Sequence, residues 1–251
     1  MNFLDAPPLA FAHRGGAAAG DENTAEAFGR AIALGYRYVE TDVHATADGV
    51  AVVLHDPDLE RVSGTAGLVE RLRWADLAAV RVGGAGAVPR LDDVLAGWPQ
   101  TRFNIDVKAD AAAGPAIAAV RKAGAEDRVL LASFDDARLA GLRALAGPAV
   151  VTSLGRRAVA RLRAASLAGL RFRPAPTVVA AQVPVRYGRL SVVDRRLLSC
   201  AHRAGLQVHV WTIDEPDEMR RLLDLGVDGI MTDRIEALRD VFAERGLWPP
   251  R

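Results

Sequence analysis

The sequence of 251 residues lacks several features that would place it in familiar classes of protein. It has a single cysteine, Cys200, which excludes an internal disulfide and a zinc site built from several thiolates. No apolar run approaches the roughly 20 residues of a membrane-spanning helix. The first residues lack the basic region and apolar stretch of an export signal. We therefore expect a cytoplasmic protein with no stable membrane insertion.

Two further ligand classes are disfavoured. The formal net charge is only +1, which predicts no nucleic-acid partner. The glycines of residues 15–20 have the wrong spacing for a dinucleotide-binding fingerprint, so a nucleotide-dependent enzyme is not expected. The sequence does not determine an oligomeric state.

Strand-like and helix-like segments alternate along the chain. Eight apolar runs, each followed by a helical pattern, predict parallel strands at residues 9–15, 37–43, 102–107, 128–132, 149–152, 177–182, 206–211 and 229–231. Eight such units in about 250 residues are typical of a closed (β/α)8 TIM barrel, an α/β fold. We expect one domain over residues 1–251. An open doubly wound sheet is the alternative.

One segment departs from this alternation. Asp48-Gly49 between two extended runs predicts a hairpin, so His55 should follow an additional antiparallel strand. Residues 57–89 then predict turns with one short helix near residues 74–80. The expected fold is therefore a barrel with a small insertion after its second strand.

Acidic residues interrupt two of the predicted strands. Side chains alternate along a strand, so Glu40 and Asp42 lie on one face of their strand, and Asp106 and Lys108 lie on one face of theirs. Residues at the carboxyl ends of barrel strands form one common site. Three carboxylates in close quarters need a cation, and oxygen ligands favour Mg²⁺, Ca²⁺ or Mn²⁺ over zinc.

Two of the five histidines end apolar runs. His13 precedes Arg-Gly and His55 precedes Asp-Pro, and both positions suit a general acid and a general base near neutral pH. His44, His202 and His209 lie within or beside regular elements, where packing or surface roles are the better interpretation.

Basic residues beside the predicted acids indicate an anionic substrate. The guanidinium of Arg14 and the ammonium of Lys108 fit a phosphate ester, and no loop suited to ATP phosphates is present. A different interpretation remains open. Ion pairs with Arg37, Arg102 or Lys108 inside the barrel would neutralise the acids without a metal.

Seven separated motifs carry a resemblance to a known family. They are His13-Arg14-Gly15 with Glu22-Asn23-Thr24, Glu40-x-Asp42, Thr46-x-Asp48-Gly49, His55-Asp56, Asp106-x-Lys108, Trp211-Thr212 and the closing Gly226-Val227-Asp228-Gly229-Ile230-Met231-Thr232-Asp233. In this order, over nearly the whole chain, they resemble the glycerophosphodiester phosphodiesterase family.

The resemblance implies hydrolysis of glycerophosphodiesters to glycerol 3-phosphate and an alcohol. It implies a mechanism proposed for such enzymes, in which the neighbouring glycerol hydroxyl forms a cyclic phosphate that water opens. Carried onto this chain, the acid and base are His13 and His55. The ligands of one divalent cation, Mg²⁺ or Ca²⁺ with Mn²⁺ as a further candidate, are Glu40, Asp42 and Asp106. The substrate-binding residues are Arg14, Glu22, Lys108 and Trp211.

Some positions depart from the family pattern or allow a second interpretation. Asp21 replaces the usual proline, and Asp106 replaces the usual glutamate, as in similar sphingomyelinase D-type phospholipases. Trp211 is either a wall for the glycerol or an ordinary core aromatic. The alternatives for function are a phospholipase D-like enzyme acting on a lipid headgroup, which needs an exposed apolar rim, and a barrel that binds phosphodiesters without turnover.

Overall fold

A computed structural model describes residues 3–84 and 86–249. Eight parallel strands alternate with eight helices. The strands are β1 Leu9–His13, β2 Tyr38–Ala45, β3 Arg102–Val107, β4 Val129–Ala132, β5 Val151–Ser153, β6 Val178–Pro184, β7 Gln207–Trp211 and β8 Gly229–Thr232. The helices are α1 Ala25–Ala33, α2 Leu91–Gly97, α3 Ala113–Lys122, α4 Asp136–Ala146, α5 Arg156–Ala168, α6 Arg195–Arg203, α7 Pro216–Leu225 and α8 Ile235–Glu244.

The strands pair in chain order, and the sheet closes on itself. β8 pairs with β1, and β1 pairs with β2 through Phe11↔Tyr38 and His13↔Glu40. The predicted (β/α)8 barrel is therefore confirmed, and the open doubly wound sheet is excluded because such a sheet leaves its two edges unpaired.

Apolar side chains lie on both faces of the strands, as a barrel enclosed by helices requires. Inside the barrel, Phe11, Tyr38, Leu130 and Met231 form a small cluster. The larger cluster lies between the strands and the surrounding helices. Since the lower interior is filled, a ligand can enter only from the mouth formed by the carboxyl ends of the strands.

The hairpin predicted after β2 is present. Residues 51–53 pair antiparallel with β2, and His55 follows directly. The insertion contains more regular structure than predicted, because two short helices, Glu60–Ser63 and Trp74–Leu77, stand where one was expected. A two-stranded ribbon joins Arg81–Val82 to Gly86–Ala87. These pieces surround their own apolar cluster, which holds the segment against the hairpin.

Side chains cap several helices at the mouth. Thr24 caps α1 by accepting a hydrogen bond from the Ala27 amide. Asp135 and Asp194 cap α4 and α6 in the same way. Cys200 on α6 is free and buried, so it packs as a small apolar side chain. None of the helices in the described ranges is long and apolar enough to cross a membrane.

Candidate active site

The predicted acids meet at the mouth because their strands are neighbours in register. Asp42 on β2 is the direct partner of Asp106 on β3, and Glu40 is the partner of His13 on β1. Side chains at the same level of adjacent parallel strands point the same way. All three carboxylates are buried. The barrel therefore brings together residues that lie up to about ninety positions apart in the chain.

The ammonium of Lys108 lies between two of these acids. Its Nζ is 2.7 Å from Asp42 Oδ1 and 2.7 Å from Asp106 Oδ2. Arg14 Nε approaches the other oxygen of Asp42 at 3.2 Å. Burial alone would raise the pKa of Asp42, but Lys108 and Arg14 outweigh it and hold that pKa below its usual range. Asp42 is therefore an anion at neutral pH.

Glu40 has a different environment. Its Oε2 accepts a long hydrogen bond from the Arg14 amide at 3.3 Å and lies 3.7 Å from His13 Nε2. Burial, reinforced by the charge of Asp42, raises the pKa of Glu40 to about 7. A carboxyl group whose pKa lies near neutral pH becomes fully ionised when a further cation approaches.

Each of the two predicted catalytic histidines is held by a carboxylate. His13 Nδ1 is 2.6 Å from Asp233 Oδ1, and His55 Nδ1 is 2.6 Å from Asp56 Oδ1. Such a bond fixes the ring and leaves Nε2 for other partners. Burial alone would lower the pKa of His13, but Glu40 and Asp233 outweigh it and raise that pKa.

The carboxylate of Glu22 and the guanidinium group of Arg61 fix the position of Arg14. Glu22 Oε1 accepts a hydrogen bond from Arg14 Nη1 at 2.9 Å, and both oxygens of Glu22 accept bonds from Arg61 at 2.7 and 2.9 Å. Arg61 also binds Asp56, the partner of His55. The insertion thus connects the loop after β1 to the second histidine through Arg61.

Two residues at the site have left-handed backbone conformations, which are costly for residues other than glycine. Arg14 has φ 51° and Asn23 has φ 60°. Asn23 Nδ2 donates to Asp42 Oδ2 at 3.0 Å, and its Oδ1 accepts from Thr41 at 2.7 Å. The two residues with a costly backbone conformation are therefore also residues whose side chains contact Asp42.

The chemistry of the donor set suits a hard divalent cation, but the three carboxylates do not converge closely enough to hold one without rearranging. Glu40, Asp42 and Asp106 supply only carboxylate oxygens, and the buried Oδ1 of Asp106 has no hydrogen-bond partner within residues 3–84 and 86–249. Over the same residues, no three acidic, histidine or cysteine side chains lie close enough to hold an ion together. Lys108 lies between two of the carboxylates. Its pairing was one of the predicted alternatives, whereas Arg37 and Arg102 pair with Asp5 instead.

Aromatic rings form part of the mouth. Trp211, at the end of β7, is half-buried, and its ring packs edge-on against Phe134 at 5.4 Å between centroids. Lys108 Nζ lies 5.9 Å from the centre of the Phe134 ring. Trp211 is therefore partly accessible, as a wall for a bound ligand requires. It lies beside the charged cluster, by which we mean Arg14, Glu40, Asp42, Asp106 and Lys108.

The other histidines have structural contacts, as the sequence predicts. His44 Nε2 is 3.1 Å from the His55 carbonyl oxygen, and His202 Nε2 is 2.7 Å from Asp228 Oδ2. His209 is completely buried in the barrel. Burial lowers the pKa of His209 to about 3, so its ring is neutral.

Three site residues were not assigned a role from the sequence. Asp233 follows the last barrel strand, and that position is the signal that identifies it as a mouth residue. Asn23 was named only as part of the Glu22-Asn23-Thr24 motif. Arg61 lies on a short helix of the insertion, and no sequence pattern indicates its contacts with Glu22 and Asp56.

Comparison with known proteins agrees with this arrangement. The sequence model of the Glycerophosphoryl diester phosphodiesterase family matches residues 13–237. "Probable glycerophosphodiester phosphodiesterase 2" of Mycobacterium tuberculosis is 41% identical over 96% of this chain and 92% of its own length. "Glycerophosphodiester phosphodiesterase" of Caldanaerobacter subterraneus is 28% identical over 95% of this chain and 99% of its own length.

A solved structure shares the fold. An Oleispira antarctica phosphodiesterase, in complex with the product sn-glycerol-3-phosphate, superposes with a TM-score of 0.79 and 21% identity, covering 94% of this chain and 97% of that chain. The matched range begins at His13 and extends past Asp233, so it includes every residue of the mouth described above. This chain belongs to the glycerophosphoryl diester phosphodiesterase family.

Proposed function

We propose that this protein hydrolyses glycerophosphodiesters to glycerol 3-phosphate and an alcohol, with the help of one divalent cation. The observation that carries the proposal is the pair of carboxylate-held imidazoles, His13 and His55, flanking a buried cluster of acids and cations. A barrel that only binds phosphodiesters has no need for two oriented proton-transfer groups. The family membership and the names of the relatives agree with this activity.

The imidazoles perform the proton transfers. One of them removes a proton from the attacking oxygen, which is water or the neighbouring hydroxyl of the glycerol, and the other protonates the oxygen of the leaving alcohol. Asp233 and Asp56 keep each ring in the tautomer that presents Nε2 to the substrate. In the direct route, water forms one P–O bond as the bond to the alcohol breaks. In the route through the glycerol hydroxyl, the same exchange gives a cyclic phosphate, and water then breaks one P–O bond of that ring to give glycerol 3-phosphate.

The substrate's phosphate is expected to contact Arg14 and Lys108. A guanidinium presents paired donors to two phosphate oxygens, and Glu22 together with Arg61 keeps Arg14 in place. Trp211 provides an apolar wall for the glycerol carbons. Glu40, Asp42 and Asp106 would hold the cation, which supplies positive charge to the phosphoryl oxygens when it is bound.

The test is release of glycerol 3-phosphate from a panel of glycerophosphodiesters that differ in the alcohol. The protein is first treated with a chelator, and Mg²⁺, Ca²⁺ and Mn²⁺ are then added separately. We expect turnover to require one of these ions. Full turnover in excess chelator would contradict the cation assignment.

The same panel separates the two alternatives. A lysophospholipid is included beside the glycerophosphodiesters, and binding is measured by calorimetry in parallel. Faster turnover of the lysophospholipid would favour the lipid-headgroup enzyme. Tight binding of the diesters without product in any cation would favour a barrel that binds without turnover.

A further inference from the structure

Charge is distributed unevenly in this nearly neutral protein. Residues 137–213, here called the arginine-rich segment, contain 13 arginines and no lysine, against one acidic residue, Asp194. The segment runs from α4 to β7, so these charges occupy one side of the barrel. The net charge of +1 for the whole chain conceals this separation, and the rest of the molecule is correspondingly acidic.

Few of these arginines make a close ion pair, although Glu218 and Asp135 lie near enough to Arg186 and Arg157 to interact with their charges. Only Arg138 and Arg163 of the segment make ion pairs within the described residues, with Asp110 and Asp194. Elsewhere, guanidinium groups such as those of Arg30 and Arg102 are paired with acids. An excess of positive charge on one side of a protein attracts an anionic surface.

A small hairpin within the segment rises at the mouth. It follows β6 and pairs Arg186–Tyr187 with Leu190–Ser191, turning through Gly188 at φ 57° and Arg189. Tyr187 and Leu190 are direct cross-strand partners and therefore share one face of the hairpin. They are 70% and 71% exposed, the highest values among the large hydrophobic residues that the structure describes.

We infer that this hairpin, Arg186–Ser191, docks the mouth of the barrel onto an anionic lipid surface. Tyrosine and leucine enter the boundary between headgroups and acyl chains, while flanking arginines remain at the level of the lipid phosphates. Arg156 and Arg157, at the amino end of α5, lie on the same side of the barrel. An apolar anchor combined with basic residues gives the two signals needed for interfacial binding.

Leu190, the aliphatic residue of the anchor, favours a lipid surface over a nucleic acid as the partner. Single-stranded nucleic acids use aromatic rings and arginine, but an exposed leucine offers no stacking surface to a base. The docking does not depend on the proposed catalytic activity, because none of the hairpin residues belongs to the charged cluster. It also requires no membrane-spanning helix.

The experiment is sedimentation of the full chain with vesicles of phosphatidylglycerol and phosphatidylcholine, compared with vesicles of phosphatidylcholine alone. We expect binding to the anionic vesicles only, weakened by salt. The Arg186→Gln/Arg189→Gln variant should bind about 25-fold more weakly, because each arginine near an anionic surface contributes about fivefold. Absence of binding to the anionic vesicles by the unmodified chain would overturn the inference.

Two further variants locate the docking surface. Tyr187→Ser/Leu190→Ser removes the anchor and should weaken binding roughly tenfold or more. Arg171→Gln/Arg173→Gln removes the same charge at the opposite end of the barrel, where both residues are exposed, and should change binding by less than about threefold. Equal losses from the two arginine pairs would overturn the inference. So would tighter binding to a single-stranded oligonucleotide that survives loss of Tyr187 and Leu190.

Discussion

Two polar layers inside the barrel accommodate buried polar groups in different ways. At the mouth, Glu40, Asp42 and Asp106 are ionisable and lie beside cations and an imidazole. Deeper inside, Asn104 and Gln182 exchange hydrogen bonds through their amide groups. The mouth contains charges that respond to a ligand, whereas the deeper layer is neutral and satisfied without one.

The deeper layer shows how a histidine can be purely structural. His209 Nε2 lies 3.0 Å from Gln207 Oε1, and its Nδ1 lies 3.5 Å from Gln182 Nε2. A neutral ring that donates at Nε2 and accepts at Nδ1 satisfies both amides. His13 faces carboxylates instead. The histidine at the mouth is therefore suited to proton transfer, whereas the histidine below it is suited to packing.

The first way to test this contrast is to remove the mouth imidazoles. His13→Ala and His55→Ala should each lower kcat about 100- to 10,000-fold while the circular dichroism spectrum is retained, because a proton-transfer group is lost. His202→Ala is the matched control, since His202 also pairs with a carboxylate but lies outside the site. Near-normal turnover in either mouth variant would refute its assigned role.

Removal of the deeper histidine should affect stability instead. His209→Ala leaves a cavity against Phe11 and two amides without their partner, so the free energy of unfolding in urea should fall by about 3 kcal/mol. The kcat of the folded fraction should stay within a few-fold of the unmodified protein. A loss of kcat as large as that of His13→Ala would contradict the separation of the layers.

Substitution of Asp233 should lower kcat less than removal of the His13 imidazole that it holds. Asp233→Asn keeps the shape but weakens the bond that orients His13, and we expect kcat to fall about 10- to 100-fold with little change in KM. Steady-state kinetics on one glycerophosphodiester measure both constants. Unchanged kcat would show that the 2.6 Å contact does not position the ring for reaction.

The smallest expected effect is a difference in pH dependence. The pKa of His209 is about 3 in the folded protein and near 6.5 when unfolded, so the unfolded chain binds the extra proton between these values. The contribution of the neutral His209 ring to the free energy of unfolding is complete above pH 6.5. It is lost as pH falls toward 3, by up to about 1.4 kcal/mol per pH unit. Urea unfolding should show a shallower pH dependence for His209→Gln; identical slopes would contradict a neutral buried ring.

The sequence predicted the mouth because its chemistry leaves a pattern along the chain. Acids two residues apart in apolar strands, such as Glu40 and Asp42, have few explanations other than convergence at a site. The strand alternation similarly predicted the closed barrel. The hairpin before His55 was predictable because Asp48-Gly49 has a specific turn preference.

Contacts across the structure were not predictable in this way. Arg61 reaches Glu22 from an insertion whose path depends on its own apolar cluster, and that packing leaves no local signal. The amide network of Gln182 and Asn104 depends on barrel closure, which sets residues 78 positions apart against each other. The net charge of +1 also gives no information on where the arginines lie, because it is a sum over the whole chain.

The central claim is that the mouth carboxylates bind a divalent cation. Calorimetric titration of Mg²⁺ and Ca²⁺ into chelator-treated protein tests it directly, with Asp106→Asn as the comparison. We predict one ion per chain for the unmodified protein, and binding at least tenfold weaker in the variant because Asp106 Oδ1 has no other partner within the described residues. Absence of binding, or identical affinity in the two proteins, would contradict the claim.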